Sequence, residues 1–200
     1  MVEKDIEEIK RKYPGLKIYT KNDGIVLQGL LDICDNNENH IDSFNVEIFI
    51  PKSFPKSLPS VKEIGDDIPK NPDRHINPDG TLCLTLPVII KRELKKNPNI
   101  VFYIENFVKP YLANQLYFEK TGEWLTGEYS HGEKGIIELI SEDLDLDINT
   151  TTKLFYFAKK NVNKVVLINW NSPCPCGSKN VIKKCHKKQI LKIIKTLKEN

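Results

Sequence analysis

Ser43-Phe-Asn-Val-Glu-Ile-Phe-Ile50 alternates polar and apolar side chains, with Phe49 the one apolar residue on its polar side. A period of two places Phe44, Val46, Ile48 and Ile50 on one face, which predicts a half-buried strand of an antiparallel sheet. Upstream, Leu16 to Thr20 and Gly24 to Asp32 read as two more strands, joined through Asn22-Asp23-Gly24, a strong hairpin signal. Cys34 closes the second of these and is expected to pack. A polar loop, Asp35 to Asp42, separates it from the alternating run. Downstream, Pro51, Pro55, Pro59, Pro69, Pro72 and Pro78 exclude regular helix and predict extended chain with one short strand over Ser60 to Ile64. Four strands in succession with tight connections make a meander.

Helices flank it. Val2 to Tyr13 places Ile6 and Ile9 on one side among charged residues and stops at Pro14-Gly15. From Asn99 to Gln115, Val101, Ile104, Phe107, Val108, Tyr111 and Leu112 recur at helical spacing, with Pro110 marking a kink or a boundary. A polar, glycine-rich loop holds Trp124 and His131. Helices are predicted over Lys134 to Leu144, Thr151 to Lys160 and Lys187 to Leu197. The fold class is α+β: a four-stranded antiparallel meander with flanking helices and a small C-terminal metal motif. The division expected is 1–145 for the main domain, 146–170 for a helical or extended connector and 171–200 for the metal motif with its basic helix.

Two hundred residues suffice to bury a core without disulfides. The start Met-Val-Glu-Lys-Asp has no apolar leader and no apolar run approaches a bilayer span, so a soluble, cytoplasmic protein without a membrane partner is expected. Five cysteines, an odd number, fit a reducing compartment better than a secreted disulfide framework. The net charge of +3 conceals an asymmetry: residues 1–170 carry 22 basic and 26 acidic side chains, whereas eight lysines face Glu199 alone from Lys179 onward. Such a tail is either a solvated amphipathic helix or a contact for nucleic acid or an acidic protein surface.

His75-Ile-Asn77-Pro-Asp-Gly80-Thr-Leu-Cys83-Leu places a thiol between apolar neighbours, close to a histidine, an asparagine and a turn. A thiolate forms thioesters readily, and a nearby amide N–H can hold the oxyanion that develops when one is attacked. The alternative is an inert buried cysteine.

With Phe54-Pro55, Pro59-Ser-Val61, His75-Ile-Asn77 and Asp79-Gly80-Thr-Leu-Cys83-Leu84 in this order, residues 1 to about 140 resemble the ubiquitin-conjugating enzyme family. Trp124, Gly127-Glu128 and His131-Gly132 look like its bacterial members. The resemblance implies that Cys83 carries a thioester, that Asn77 organises the site and stabilises the oxyanion, and that His75 holds the same loop. It further implies a ubiquitin-like modifier, an activating enzyme and a protein substrate as partners, in bacterial conjugation cassettes of which some serve antiphage defence. The chain departs from the family pattern: Ile76 stands where a proline is usual, five residues separate Asn77 from Cys83 instead of seven, and no tryptophan closely follows the cysteine. His131 is a candidate to deprotonate an incoming lysine, against the plainer role of satisfying local backbone groups.

Cys174-Pro-Cys176-Gly-Ser, then Cys185-His186, supplies three sulfurs and one nitrogen, a closed tetrahedral set for structural zinc. It resembles the SEC-C zinc motif. With four protein ligands no position remains open for water, so the metal is expected to hold a small fold and not to catalyse. Beyond the transferase reading stand a non-catalytic binding module on the same scaffold, a nucleic-acid or ribosome-binding protein acting through the metal motif and lysines, and a cysteine hydrolase. The last would require a histidine aligned with Cys83 and a group to orient it.

Overall fold

The computed structural model describes residues 3–125 and 129–199, in two compact units, Met1–Gly127 and Glu128–Asn200. Val2 and the Gly127-Glu128 pair quoted above lie outside the described residues.

The first unit is built on an antiparallel meander of β1 (Leu16–Lys21), β2 (Gly24–Cys34), β3 (His40–Pro51) and β4 (Ser60–Glu63), in that spatial order. Lys21 pairs with Gly24 across the turn Asn22-Asp23, and Phe44, Val46, Ile48 and Ile50 are all buried, as the alternation requires. Cys34 does not pack. It is exposed, because the alternation that buries Leu31 and Ile33 turns Asp32 and Cys34 to the other face.

Helix α1 (Glu3–Lys12) precedes the sheet, and the chain then continues through Tyr13, whose hydroxyl donates to Glu105 at 2.8 Å. The sequence signals above leave α2 (Pro87–Lys96) without a place; Pro87 opens it, where a missing N–H costs nothing, and Val88, Ile90 and Leu94 are buried. One continuous helical run follows. Asn99 caps it by accepting the Val101 and Phe102 N–H groups at 2.6 and 3.1 Å. It comprises α3 (Ile100–Tyr103), a π-helical turn (Ile104–Val108) and α4 (Lys109–Thr121), ending at Gly122. Pro110 marks a boundary within the run, in the first turn of α4 just after the π turn. The wider π turn ahead of it, in which the Lys109 N–H reaches back to Ile104 O, accommodates a ring that would otherwise strike the carbonyl four residues back.

The second unit contains α5 (Gly132–Leu144), α6 (Ile148–Asn161) and α7 (Lys187–Glu199). Asp147 caps α6 through the Thr150 N–H at 2.9 Å. Ile136 and Ile140 share one core with Leu154, Phe155, Ala158, Ile190, Ile193 and Ile194. The two compact units divide between residues 127 and 128, and the stretch 146–170 carries α6, whose Leu154, Phe155 and Ala158 lie in the core of the second unit. An apolar stripe reveals that a helix is buried; it does not say in which core. Among the described residues no helix is long and apolar enough to cross a membrane.

Candidate functional site

Cys83 stands at the base of a small hairpin added to the edge of the sheet. The Leu82 N–H donates to Val61 O at 2.8 Å and Thr81 bridges Lys62, so the returning arm extends β4's edge. Cys83 N–H donates to His75 O at 2.7 Å, Ile76 pairs with Leu82, and Asn77 N–H donates to Thr81 O at 2.8 Å. The tip is Pro78-Asp79-Gly80; the Gly80 N–H closes the turn on Asn77 O at 2.8 Å, and its φ of 80° is the left-handed conformation glycine adopts freely. Alternation then decides the chemistry. Ile76 and Leu82 are buried in the core, which leaves His75, Asn77, Thr81 and Cys83 to the opposite face. Cys83 is half-buried.

The arm that carries His75 is held by the helix opposite. A 3₁₀ turn, Pro72–Arg74, is capped by Asn71, which accepts the Arg74 N–H at 3.0 Å. His75 follows at φ 53°, a left-handed conformation that a side chain with a Cβ adopts only when its surroundings impose it. The constraint is visible: Arg74 O accepts the Tyr111 hydroxyl at 2.8 Å and the Gln115 amide at 2.9 Å, while His75 O is taken by Cys83. The Arg74 side chain, only 8% exposed, donates to Gln115 at 2.8 Å and to Glu119 at 2.8 Å and lies 4.8 Å over the Phe118 ring. Phe118 stacks on Trp124 at 4.3 Å, and Trp124 meets the His75 ring edge-on at 5.3 Å. Burial first, and then the charge of a Cys83 thiolate beside it, push the Tyr111 hydroxyl well above the usual tyrosine value, so it remains a proton donor to the backbone. Chemically, the arrangement offers one accessible thiol on a backbone fixed from both sides.

His75 and Cys83 are cross-strand partners. Asn77 sits at the exposed tip, where its amide donates to Thr81 Oγ1 at 3.0 Å. His131 belongs to the second unit, as the extended residue ahead of α5. Arg74, Tyr111, Gln115 and Phe118 carry no local signal of this role; a buried arginine announces itself only through partners some forty residues away.

The second cluster lies in the second unit. Cys174 N–H donates to Asn180 O at 2.9 Å, Ile182 N–H to Ser172 O at 2.9 Å, and Pro173 bridges Val181, which forms a tight knuckle. Gly177, at φ 92°, turns its tip. A 3₁₀ turn (Ile182–Lys184) then delivers Cys185 and His186 to the start of α7. The three sulfurs and a ring nitrogen of His186 all lie within 4.8 Å of one another. Cys176 and Cys185 sulfurs are 3.7 Å apart, and His186 Nδ1 is 3.4 Å from Cys174 and 3.1 Å from Cys185. Separations of this size are the edges of a tetrahedron around an ion bound at about 2.0–2.3 Å. The cluster can therefore hold a metal ion with four protein ligands. Burial pushes the Cys174 thiol up to about 11. Burial acts the same way on Cys176, but hydrogen bonds from Ser178 and the neighbouring thiols outweigh it and bring it down to about 6. The Ser178 N–H reaches Cys176 Sγ at 3.4 Å, and its hydroxyl lies 3.3 Å from Cys185 Sγ, so one serine serves two ligands. Lys153 of α6 donates to Cys176 O at 3.4 Å.

Compared with family models, with curated proteins and with solved structures, the chain finds no match.

Proposed function

We propose that this chain is a cysteine acyl carrier, a ubiquitin-conjugating-like transferase that accepts a ubiquitin-like protein's C-terminus as a thioester on Cys83 and passes it to an amine. The observation that carries the reading is the placement of Cys83: a half-buried thiol whose own N–H is bonded to His75 O, on a hairpin clamped by Arg74, Tyr111 and Gln115. A carrier requires a thiol open to a large partner yet fixed in position. It needs no cofactor, because exchange of one thioester for another is nearly neutral in free energy.

In the loading step the Cys83 thiolate attacks the carbonyl carbon of the donor thioester, an oxyanion forms, and the donor's sulfur leaves as thiolate. In the transfer step an amine attacks the new carbonyl, loses a proton to a base or water, and Cys83 leaves as thiolate. His75 orders the loop through its backbone: its carbonyl holds Cys83 and its ring is braced by Trp124. Asn77 takes the oxyanion role only if its amide releases Thr81.

For the metal cluster the ion proposed is zinc, held by Cys174, Cys176, Cys185 and His186, which suits three soft thiolates and one imidazole. When bound it supplies a structural cross-link between knuckle and helix.

The test compares tagged wild type, Cys83→Ser and Cys83→Ala recovered from native cells, on non-reducing denaturing gels with mass spectrometry. The reading expects a protein adduct that thiol reductant cleaves in wild type, a reductant-resistant ester in the serine variant and none with alanine. An adduct indifferent to Cys83→Ala, or partners that co-purify with no adduct in any form, would return the molecule to the binding-module reading.

A further inference from the structure

From Ile148 to Glu199 the chain carries twelve lysines and a single acid, Glu199. In α7, Ile190, Ile193 and Ile194 are buried, so Lys188, Lys192 and Lys195 form an exposed row along the opposite side. Like charges at this helical spacing repel one another. Lys159 has Glu133 for a partner, and the stretch itself sets only Glu199, one turn beyond Lys195, against the row on α7. A polyanion supplies what is missing.

Helix α6 adds a second element. Leu154, Phe155 and Ala158 point into the core, which leaves Lys153, Tyr156 and Lys160 on an outward row. Tyr156 is 53% exposed, an aromatic ring between two ammonium groups. Through Lys153 and Cys176 O this row is tied to the metal knuckle, which fixes its position within the unit.

We infer that the second unit binds single-stranded nucleic acid, the α7 lysines contacting phosphates and Tyr156 stacking an unpaired base. Lysines alone would suit any anionic surface. The flanked, solvent-facing ring selects for a partner that carries flat aromatic groups along a charged backbone, and a base is free to stack on it only when the strand is single. This surface uses none of the residues around Cys83 and does not rest on the transfer reading.

The experiment is fluorescence anisotropy with the full, metal-loaded chain and a labelled mixed-sequence oligonucleotide of about 20 nucleotides, as DNA and as RNA, across a salt series from about 50 mM upward. Binding is expected to weaken with salt, with a log–log slope of about −3 for four to five phosphate contacts. Tyr156→Ala is expected to lose about tenfold in affinity. The triple variant K188Q/K192Q/K195Q is expected to lose tenfold or more and to flatten the slope by about 2. Retained metal content and far-ultraviolet circular dichroism show that the variants are folded, and Cys83→Ser is expected to bind as wild type does. No binding at the lowest salt overturns the inference, as does an affinity within twofold of wild type in either variant. Equal competition by dextran sulfate would reduce the surface to general polyanion attraction and overturn it. So would tight binding to phosphatidylserine vesicles that is lost in the double variant V166D/L167D, which alters the exposed apolar pair Val166 and Leu167.

Discussion

The Cys83 hairpin and the Cys174–His186 knuckle are both tight turns bearing cysteine, yet they treat sulfur in opposite ways. In the hairpin a single thiol is held by its backbone, Cys83 N–H to His75 O, while buried residues on a distant helix fix the arm it pairs with. In the knuckle, three sulfurs and an imidazole crowd within 4.8 Å and the side chains themselves are the structural element. In the hairpin the support runs through the backbone of the cysteine, whereas in the knuckle it runs through the sulfurs. Disrupting each support in turn tests that contrast.

The largest effect is expected in the knuckle. Replacing Cys174 and Cys185 together by serine, or removing metal with a strong chelator, should unfold the segment 165–199, since the binding free energy of a structural metal is folding free energy. Hydrogen exchange read by mass spectrometry should show α7 and the knuckle losing protection while β1–β4 and α3–α4 retain theirs. If the second unit keeps its protection without metal, its apolar core of Leu154, Phe155, Ile190 and Ile194 is sufficient and the contrast with the hairpin fails.

In the first unit the corresponding support is Arg74. Arg74→Ala leaves Oε1 of Gln115, a residue only 1% exposed, without its donor and takes the cation from the Phe118 face, while the Gln115 amide keeps the carbonyl of residue 74. A loss of about 3 kcal/mol is expected in urea unfolding of the first unit, most of it from polar groups left buried and unpaired. If the arm is rigid because of this clamp, alkylation of Cys83 by iodoacetamide should also change in rate, while the exposed Cys34 reacts as before.

Legibility follows the distance over which each support acts. The meander was readable because a period of two is a local pattern, and the Cys/His cluster was readable because it spans only thirteen residues, Cys174 to His186. The clamp was not: Arg74 and Gln115 are 41 residues apart, and in sequence both look like surface residues. The same limit holds for α5, whose apolar stripe gives no sign of the core it joins. It also explains α2, whose Pro87 reads as one more extended-chain proline until its place in the first helical turn is seen. Asn77 was placed by resemblance alone, and the short loop puts it at the hairpin tip.

Away from both turns, Glu105 gives a smaller effect with a definite pH sign. Burial works to raise its carboxyl, but the Tyr13 hydroxyl, Lys109 and Lys12 outweigh it and hold it below the usual glutamate range. A carboxylate depressed in the folded state stabilises above its unfolded value of about 4.3, and that stabilisation disappears as pH falls through the folded value. Glu105→Gln should therefore cost about 1 kcal/mol at neutral pH, with the gap from wild type closing as pH falls through the depressed folded value. A gap independent of pH would assign the cost to packing around the π turn, leaving the ionic contacts without a share.

The smallest structural effect belongs to Asn77, and it bears most directly on the chemistry of the hairpin. Its amide makes one exposed hydrogen bond, to Thr81, whose side chain and N–H are also held by Asp79. Asn77→Ala should therefore change stability by no more than about 0.5 kcal/mol, and Cys83 should load as in wild type. Transfer to the amine is the discriminating measurement, because removing a true oxyanion donor costs about 10²–10³ in rate. A loss on that scale with loading intact would mean that the amide swings from Thr81 to the reacting carbonyl during transfer. Unchanged transfer would leave oxyanion stabilisation to other donors on the same face and make Asn77 a turn residue, which its place at the tip already suits: a side chain bonded across the hairpin holds the reversal that returns the chain to Cys83.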